Sequence, residues 1–554
     1  MMKRKLGGRS ASGRSAPGRT PLSRKVRPRR MGVNFCIEGR KQFDREQRAQ
    51  DSPHGRTRAM QLLLHPAIPR QPGRSGLILL RAGHQRASVL LSVECAASPG
   101  IRGPRDPLRR VDSKVIPMRI LFFLGVSTLM APASTAQDWP QFRGPGALGV
   151  STNSELPSTW SETEHVAWRK KIPGRGWSSP IVQGNRIFVT TAIQEEGEPE
   201  PVKKGLYFGG NRSAPKQSYR WVVYCLKLDS GEVAWEKELH RGVPEHGHHV
   251  KGSLASETSV CDGERLYAYV GNVGLFCFDL EGEPLWSKRW KSVPTRYGWG
   301  TAASPALHDG RIYLVNDNEE ESFLVALDCK TGEEIWRVER DEKSNWATPF
   351  IWENDKRTEI VTPGTGRIRS YGLDGKPLWE LGGMSSITIP TPFAAHGMVY
   401  VTSGYVGDRR KPVFAIRPGA QGDISLEGAE TQNEFIAWCQ KKAGPYNPTP
   451  VLYDGRLYVL YDQGFMACFD ALTGEEIYGK QRIAEAASAF TSSLWAYDGK
   501  VFCQSEDGDT FVIRAGDKFE ILGTNSLGEL CMATPAIVED GLIIRTEGHL
   551  LRIR

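Results

Sequence analysis

The sequence predicts an all-β fold, an eight-bladed β-propeller of four-stranded antiparallel blades closed by an N-terminal strand. Three features predict it: a long repeat, a recurring hairpin that ends in an aromatic residue, and two chain ends that complete one another. After residue 176 a small polar cluster, usually ending in Pro, is followed eight times by a turn carrying Gly or Asn and then by an alternating apolar strand. Four copies run from Pro305 to Gly310-Arg311-Ile312-Tyr313, Pro392 to Gly397-Met398-Val399-Tyr400, Pro450 to Gly455-Arg456-Leu457-Tyr458, and Pro535 to Gly541-Leu542-Ile543-Ile544. The others are anchored at Pro180, Thr258, Pro349 and Ser493. Most successive anchors lie 42–47 residues apart, and longer gaps of 78 and 58 fall in the first and fifth units. A period in the forties with four short strands per unit marks a propeller blade.

The second half of each unit is a hairpin. The third unit reads Ala326-Leu327-Asp328-Cys329-Lys330-Thr331-Gly332-Glu333-Glu334-Ile335-Trp336, and the sixth repeats it as Asp470-Ala471-Leu472-Thr473-Gly474 to Tyr478. Shorter versions end at Trp235, Trp286 and Trp379. Asp and Gly supply the special backbone angles of the turn. The aromatic residue falls on the outer strand, where it covers the neighbouring blade, so Trp235, Trp286, Trp336 and Trp379 are expected to pack blades together.

The chain ends fit one another. The last unit has only three strands, through Leu542–Arg545 and Leu550–Arg554. The fourth is expected at residues 165–172, with Trp168 in the place of the outer-strand aromatic. A strand from the start of the domain that completes the last blade closes the ring and removes both free sheet edges.

The pattern at Ala326–Trp336 resembles the tryptophan-docking repeat of the pyrroloquinoline-quinone (PQQ) dehydrogenases and their relatives, which include the non-enzymatic outer-membrane assembly factor B. The resemblance covers roughly residues 138–554. It implies the eight-bladed fold strongly and any chemistry only weakly, because one superfold hosts unrelated functions.

Residues 1–117 differ in composition. They carry a net charge of +19, which leaves residues 118–554 at −10 within a whole chain of +9. The basic stretch has few aromatics and no recognisable binding module, so nucleic acid is not expected as a partner. From Met118 the chain reads Met118-Arg119, an apolar run to Met130, and then Ala131-Pro132-Ala133-Ser134-Thr135-Ala136. That is the grammar of a secretory signal peptide, and the run is too short to span a bilayer. The expected organisation is a basic leader over 1–117, a signal peptide over 118–136 and the propeller over 137–554. Translation would then start at Met118, and the exported chain would begin at Gln137. Eight cysteines follow, mostly inside apolar strands, with neither a C-x-x-C pair for zinc nor a C-x-x-C-H for haem.

The segments that lead into the innermost strands open onto one end of the channel. They bring Arg175, Trp177, Glu257, Arg296, Tyr297, Trp299, Asn345, Trp346, Tyr446 and Asn447 to that mouth. Aromatic faces with a few placed polar groups suit a small polar or planar ligand. The bland alternative is that the same aromatics plug the channel and stack on one another. His246, His248 and His249 form a weak candidate metal cluster whose spacing matches no standard motif. Asn316–Glu321 could offer oxygens to calcium but reads better as an exposed hairpin tip. Long insertions at 193–220 and 404–436 interrupt blades one and five.

Two functions compete. The resemblance implies either a periplasmic PQQ-dependent dehydrogenase of alcohols or sugars, holding PQQ with Ca²⁺, or a non-catalytic ligand- or protein-binding scaffold of the cell envelope. The sequence lacks the adjacent Cys pair of many family enzymes, and its calcium and base positions cannot be matched residue by residue. The scaffold is therefore preferred: a periplasmic or secreted monomer without a membrane span, whose partner is an envelope protein or a small polar ligand.

Overall fold

The computed structural model describes residues 138–554, so the leader and signal-peptide expectations lie outside the described residues. Eight sheets surround one axis, each a meander from an innermost to an outermost strand. Blade one is Ile181–Gln183, Arg186–Gln194, Tyr219–Lys227 and Val233–Gly242. Blades two, three, six and seven repeat that order. In blade eight, Ala536–Val538, Gly541–Arg545 and His549–Ile553 are joined by Val166–Lys171, which runs antiparallel to His549–Ile553 with Trp168 opposite Arg552. The ring is closed as the two chain ends foretold. Among the described residues no helix is long and apolar enough to cross a membrane.

The core lies between blades. Middle strands are buried on both faces, as in Arg265–Val270 and Gly274–Asp279. Tyr267, Leu275 and Cys277 of blade two interlock with Ile312, Leu314 and Leu327 of blade three. All eight cysteines of the described region are buried free thiols. Each acts as a small hydrophobe in these seams.

The outer-strand tryptophans dock on the glycine of the next blade's hairpin. Trp286 donates its indole N–H to the Cys329 carbonyl at 3.1 Å, and a Cβ on Gly332 would meet its ring at 2.4 Å. Trp235 stands in the same way against Gly282, Trp336 against Gly375 and Trp438 against Gly474. Trp379 is the exception. Blade five has no such turn, and Trp379 bonds Glu359 of its own blade at 2.6 Å while packing on Phe414 and Ile416.

The second insertion divides in two. Residues 403–412 join the middle strands of blade five at the channel mouth, whereas 417–435 lie at the opposite end. There Gly422–Asp423 pairs in parallel with Pro377–Gly382 and gives blade four a fifth strand.

A segment ahead of the closing strand fills the channel. Trp139 bridges Val182 of blade one, Pro140 accepts the Cys261 N–H of blade two, and Val150 bridges Ala496 of blade seven. Arg143 is fully buried and, among the described residues, faces no carboxylate. Its guanidinium donates to the carbonyls of Ala147, Leu148, Pro450 and Leu494 at 2.8–2.9 Å, and burial pushes its pKa down to about 9.

Candidate functional site

The polar clusters that start each repeat form a belt around the channel. The backbone N–H of Ser179 donates to the Thr258 hydroxyl, that of Thr258 to Ser304, and that of Ser304 to Thr348, at 2.9–3.1 Å. The series resumes from Thr391 to Thr449, from Thr449 to Ser493 and from Ser493 to Thr534. One residue of each blade thus offers a hydroxyl at the same height, and each link ties a blade to its neighbour. Six of the eight hydroxyls spend a lone pair on a backbone N–H and keep their own O–H. Among the described residues, neither Ser179 nor Thr391 has a hydroxyl bonded to protein.

Above this belt lies a cavity of about 280 Å³, lined by all eight hydroxyls and floored by Phe142 of the channel-filling segment. Trp177, Trp299, Trp346 and Tyr446 form its walls, with Asn447, Tyr405 and Ile389. The three indole N–H groups are all occupied: Trp177 donates to the Lys251 carbonyl, Trp299 to Gly210 and Trp346 to Gly300, at 2.7–2.8 Å. What the tryptophans leave for a ligand is therefore their ring faces.

The first insertion forms a strap over the mouth. It joins the middle strands of blade one, and Gly205, Leu206, Tyr207 and Phe208 line the cavity from above. Phe208 meets Tyr297 edge-on at 5.2 Å yet remains 56% exposed. The Arg212 N–H donates to the Tyr297 carbonyl at 2.8 Å. The other end is held by the buried Glu506, which accepts the Gly205 N–H at 2.9 Å and the Thr491 hydroxyl at 2.7 Å. Lys251 completes the latch: its ammonium bonds Glu506, the Gly205 carbonyl and the Thr491 hydroxyl. An ammonium has three N–H donors, and all three are occupied here.

Of the mouth residues expected from sequence, Trp177, Trp299, Trp346, Tyr446 and Asn447 line this cavity. The others sit on the same end of the ring but outside it. Arg175 lies in a neighbouring groove of about 870 Å³ and pairs with Glu547 at 3.2 Å. Glu257 is buried beside the turn of the middle strands of blade two, where it accepts the Gly271 N–H at 3.0 Å and burial raises its pKa. Arg296 donates to the Ser386 carbonyl at 3.0 Å and covers Tyr297 at the rim. Asn345 bonds the Lys343 carbonyl and the Thr365 hydroxyl and accepts the Thr388 N–H. Side chains already satisfied by backbone in this way set loop shape. Asp462 does the same for the wall, accepting the N–H groups of Tyr446 and Asn447 at 3.0 Å.

His246, His248 and His249 do not converge. Among the described residues no group of three or more His, Cys, Asp or Glu is placed to hold a metal ion. His248 bonds the His249 carbonyl, while His249 stands edge-on to Trp299 at 4.9 Å. Burial, with Lys251 and Arg212 nearby, lowers the pKa of His249 to about 4. The acidic run is likewise committed. Asp317 is buried against Arg340, and Asn318 accepts the N–H groups of Glu320 and Glu321 to shape the turn.

The family model described as outer membrane protein assembly factor BamB matches residues 220–381. Over those residues the chain is similar to the PQQ-like β-propellers. The assembly factor BamB of Nitrosomonas eutropha is 22% identical to this propeller over 245 residues, covering 36% of this chain and 54% of that protein. A polyvinylalcohol dehydrogenase of a Pseudomonas species is 21% identical over 356 residues, covering 58% and 47%. The chain spans about half the length of the curated relatives it matches. Among solved structures, the quinohemoprotein alcohol dehydrogenase of Comamonas testosteroni aligns with a TM-score of 0.48 at 12% identity, covering 75% of this chain and 80% of that one.

The mouth of this propeller does not fit the PQQ that the resemblance implies. An anionic quinone with a calcium ion needs cations around its carboxylates and carboxylates around its metal. Among the described residues no Asp, Glu or Arg lines the cavity, and the one lysine there is matched by Glu506. The belt and the latch were not among the sequence expectations, and the strap was expected only as a long insertion at 193–220. The belt had a signal in the recurrent Ser/Thr before each inner strand.

Proposed function

We propose that the chain is an exported, non-catalytic binding propeller of the cell envelope, with its ligand site in the cavity at the channel mouth. One observation supports this above the rest: among the described residues the lining offers aromatic faces and hydroxyls but no residue set for proton transfer. Its lysine is held by Glu506, and its histidine stays neutral above about pH 4. A general base works best with a pKa near the operating pH and a free path to its proton, and neither group meets both conditions. Export rests on the segment Met118–Ala136 and agrees with the outer-membrane name of one relative. The exposed Phe208 and Val406 beside the mouth also give an envelope protein an apolar foothold.

The competing reading is a PQQ-dependent alcohol or sugar dehydrogenase, favoured by the relationship to a polyvinylalcohol dehydrogenase. Incubation of the full chain with PQQ and CaCl₂, followed by desalting, separates the two. The scaffold reading expects no retained quinone absorbance and no dye-linked oxidation of alcohols or glucose. Stoichiometric quinone retention with turnover overturns it.

A further inference from the structure

We infer that the mouth cavity accepts a pyranose ring of a neutral saccharide; this rests on the binding-scaffold reading above and names its ligand class. Three properties of the lining lead there. The first is charge. Among the described residues no acidic residue or arginine lines the cavity, and Lys251 has no donor left after Glu506, Thr491 and Gly205. A phosphate, a uronate or a zwitterionic amino acid would lose its hydration against a wall that returns no opposite charge. A neutral ligand incurs no such cost.

The second property is the state of the tryptophans. Trp177, Trp299 and Trp346 have their indole N–H groups fixed to backbone carbonyls, so their planes are set before any ligand arrives. A preset apolar plane suits a rigid ring that has one C–H face. It gives little to a flexible acyclic polyol, which must lose rotational freedom to lie flat.

The third is the belt. Six of its hydroxyls are held by blade-to-blade hydrogen bonds, and among the described residues those of Ser179 and Thr391 are not engaged by protein. A saccharide ring carries an apolar face and an edge of hydroxyls at right angles to it, and here aromatic walls stand over a hydroxyl belt. A nucleobase shares the need for a plane, but its edge asks for in-plane amide or carboxylate partners. Among the described residues Asn447 is the only side-chain amide in the lining. At about 280 Å³ the cavity lies near the lower end of ligand sites, roughly 300–1,000 Å³, which suits one or two sugar rings.

The test is calorimetry on the full chain, paired with tryptophan fluorescence, using maltose, cellobiose, glucuronate, sorbitol, poly(vinyl alcohol) and adenosine. Saturable binding of at least one neutral disaccharide is expected, with glucuronate and sorbitol about tenfold weaker or more. Thr391→Val and Ser179→Ala each remove a hydroxyl that holds no protein partner. They should weaken saccharide binding by about fivefold, the worth of one neutral hydrogen bond, with an unchanged Tm. Trp299→Ala should weaken it by about tenfold or more, and Trp299→Phe, which keeps a ring face, by less. Failure of both disaccharides to bind overturns the inference. If adenosine or poly(vinyl alcohol) binds instead and Trp299→Ala abolishes it, the saccharide assignment falls and the binding scaffold stands. If no ligand binds and quinone reconstitution gives turnover, both fall.

Discussion

Trp168 stands against Gly231. The tryptophan belongs to the strand that closes blade eight and the glycine to the outer hairpin of blade one, and a Cβ on Gly231 would lie 2.6 Å from the indole. The indole N–H also donates to the Leu228 carbonyl at 2.9 Å. The seam that joins the two ends of the ring is thus built like the interior seams at Trp286–Gly332 and Trp336–Gly375. Deleting residues 138–172 removes this contact, leaves His549–Ile553 as a free edge and empties the channel of Trp139 and Arg143. Loss of soluble, cooperatively unfolding protein is expected; a truncated chain with the parent's melting curve would show that the ring is held by other contacts.

Gly332 sits at φ +72° with the Trp286 ring 2.4 Å from where its Cβ would be. Gly332→Ala adds backbone strain to an overlap that a docked indole cannot relieve. A loss of about 2–4 kcal/mol is expected in urea unfolding. Trp336→Ala, which empties the equivalent pocket one blade on, should cost roughly 3–5 kcal/mol. A change below about 0.5 kcal/mol in either would mean the seams carry little of the stability.

Lys251 and Glu506 form the latch of the strap. Lys251→Met leaves a buried carboxylate, only 1% exposed, without its cation. The expected cost is about 3–5 kcal/mol, whereas the double variant Lys251→Met/Glu506→Gln should recover much of it. Limited proteolysis within residues 195–218 should quicken in the single variant and slow again in the double one.

His249 titrates against burial first and the Lys251 charge second, so its folded pKa, about 4, lies below the ordinary 6.5. Between those values the unfolded chain binds the extra proton. Its contribution to stability is therefore complete above about pH 6.5 and is lost as the pH falls towards 4. Unfolding midpoints measured from pH 7 to 4 should drop more steeply for the parent than for His249→Gln, by on the order of 2–3 kcal/mol over the range. Parallel curves for the two proteins would place the acid sensitivity elsewhere.

Export has its own test. Cleavage after Ala136 leaves Gln137 at the amino terminus, so N-terminal sequencing of protein from the native envelope should begin Gln137-Asp138-Trp139. Peptides from residues 1–117 at the abundance of propeller peptides would refute it.

The sequence by itself determined the ring: the number of blades, their order, the completing strand at Val166–Lys171 and, Trp379 excepted, the tryptophans that face neighbouring hairpins. Those features depend on short patterns, such as Asp328 to Trp336, whose turn residues and alternation act within one hairpin and recur in register. It also placed Trp177, Trp299, Trp346, Tyr446 and Asn447 at one mouth, because equivalent positions in successive blades are carried around one axis. Only the tertiary structure decided what those residues face. Lys251 meets Glu506 across 255 positions of chain, and Arg143 finds two of its four carbonyls, those of Pro450 and Leu494, more than 300 positions away. Nothing local in either stretch marks the partner. The same holds for Arg175, Arg296 and Asn345, which look like ligand groups in the sequence and are instead bound by loops around them. A side chain's chemistry is written in its identity, but whether it is free to act depends on which distant backbone reaches it first.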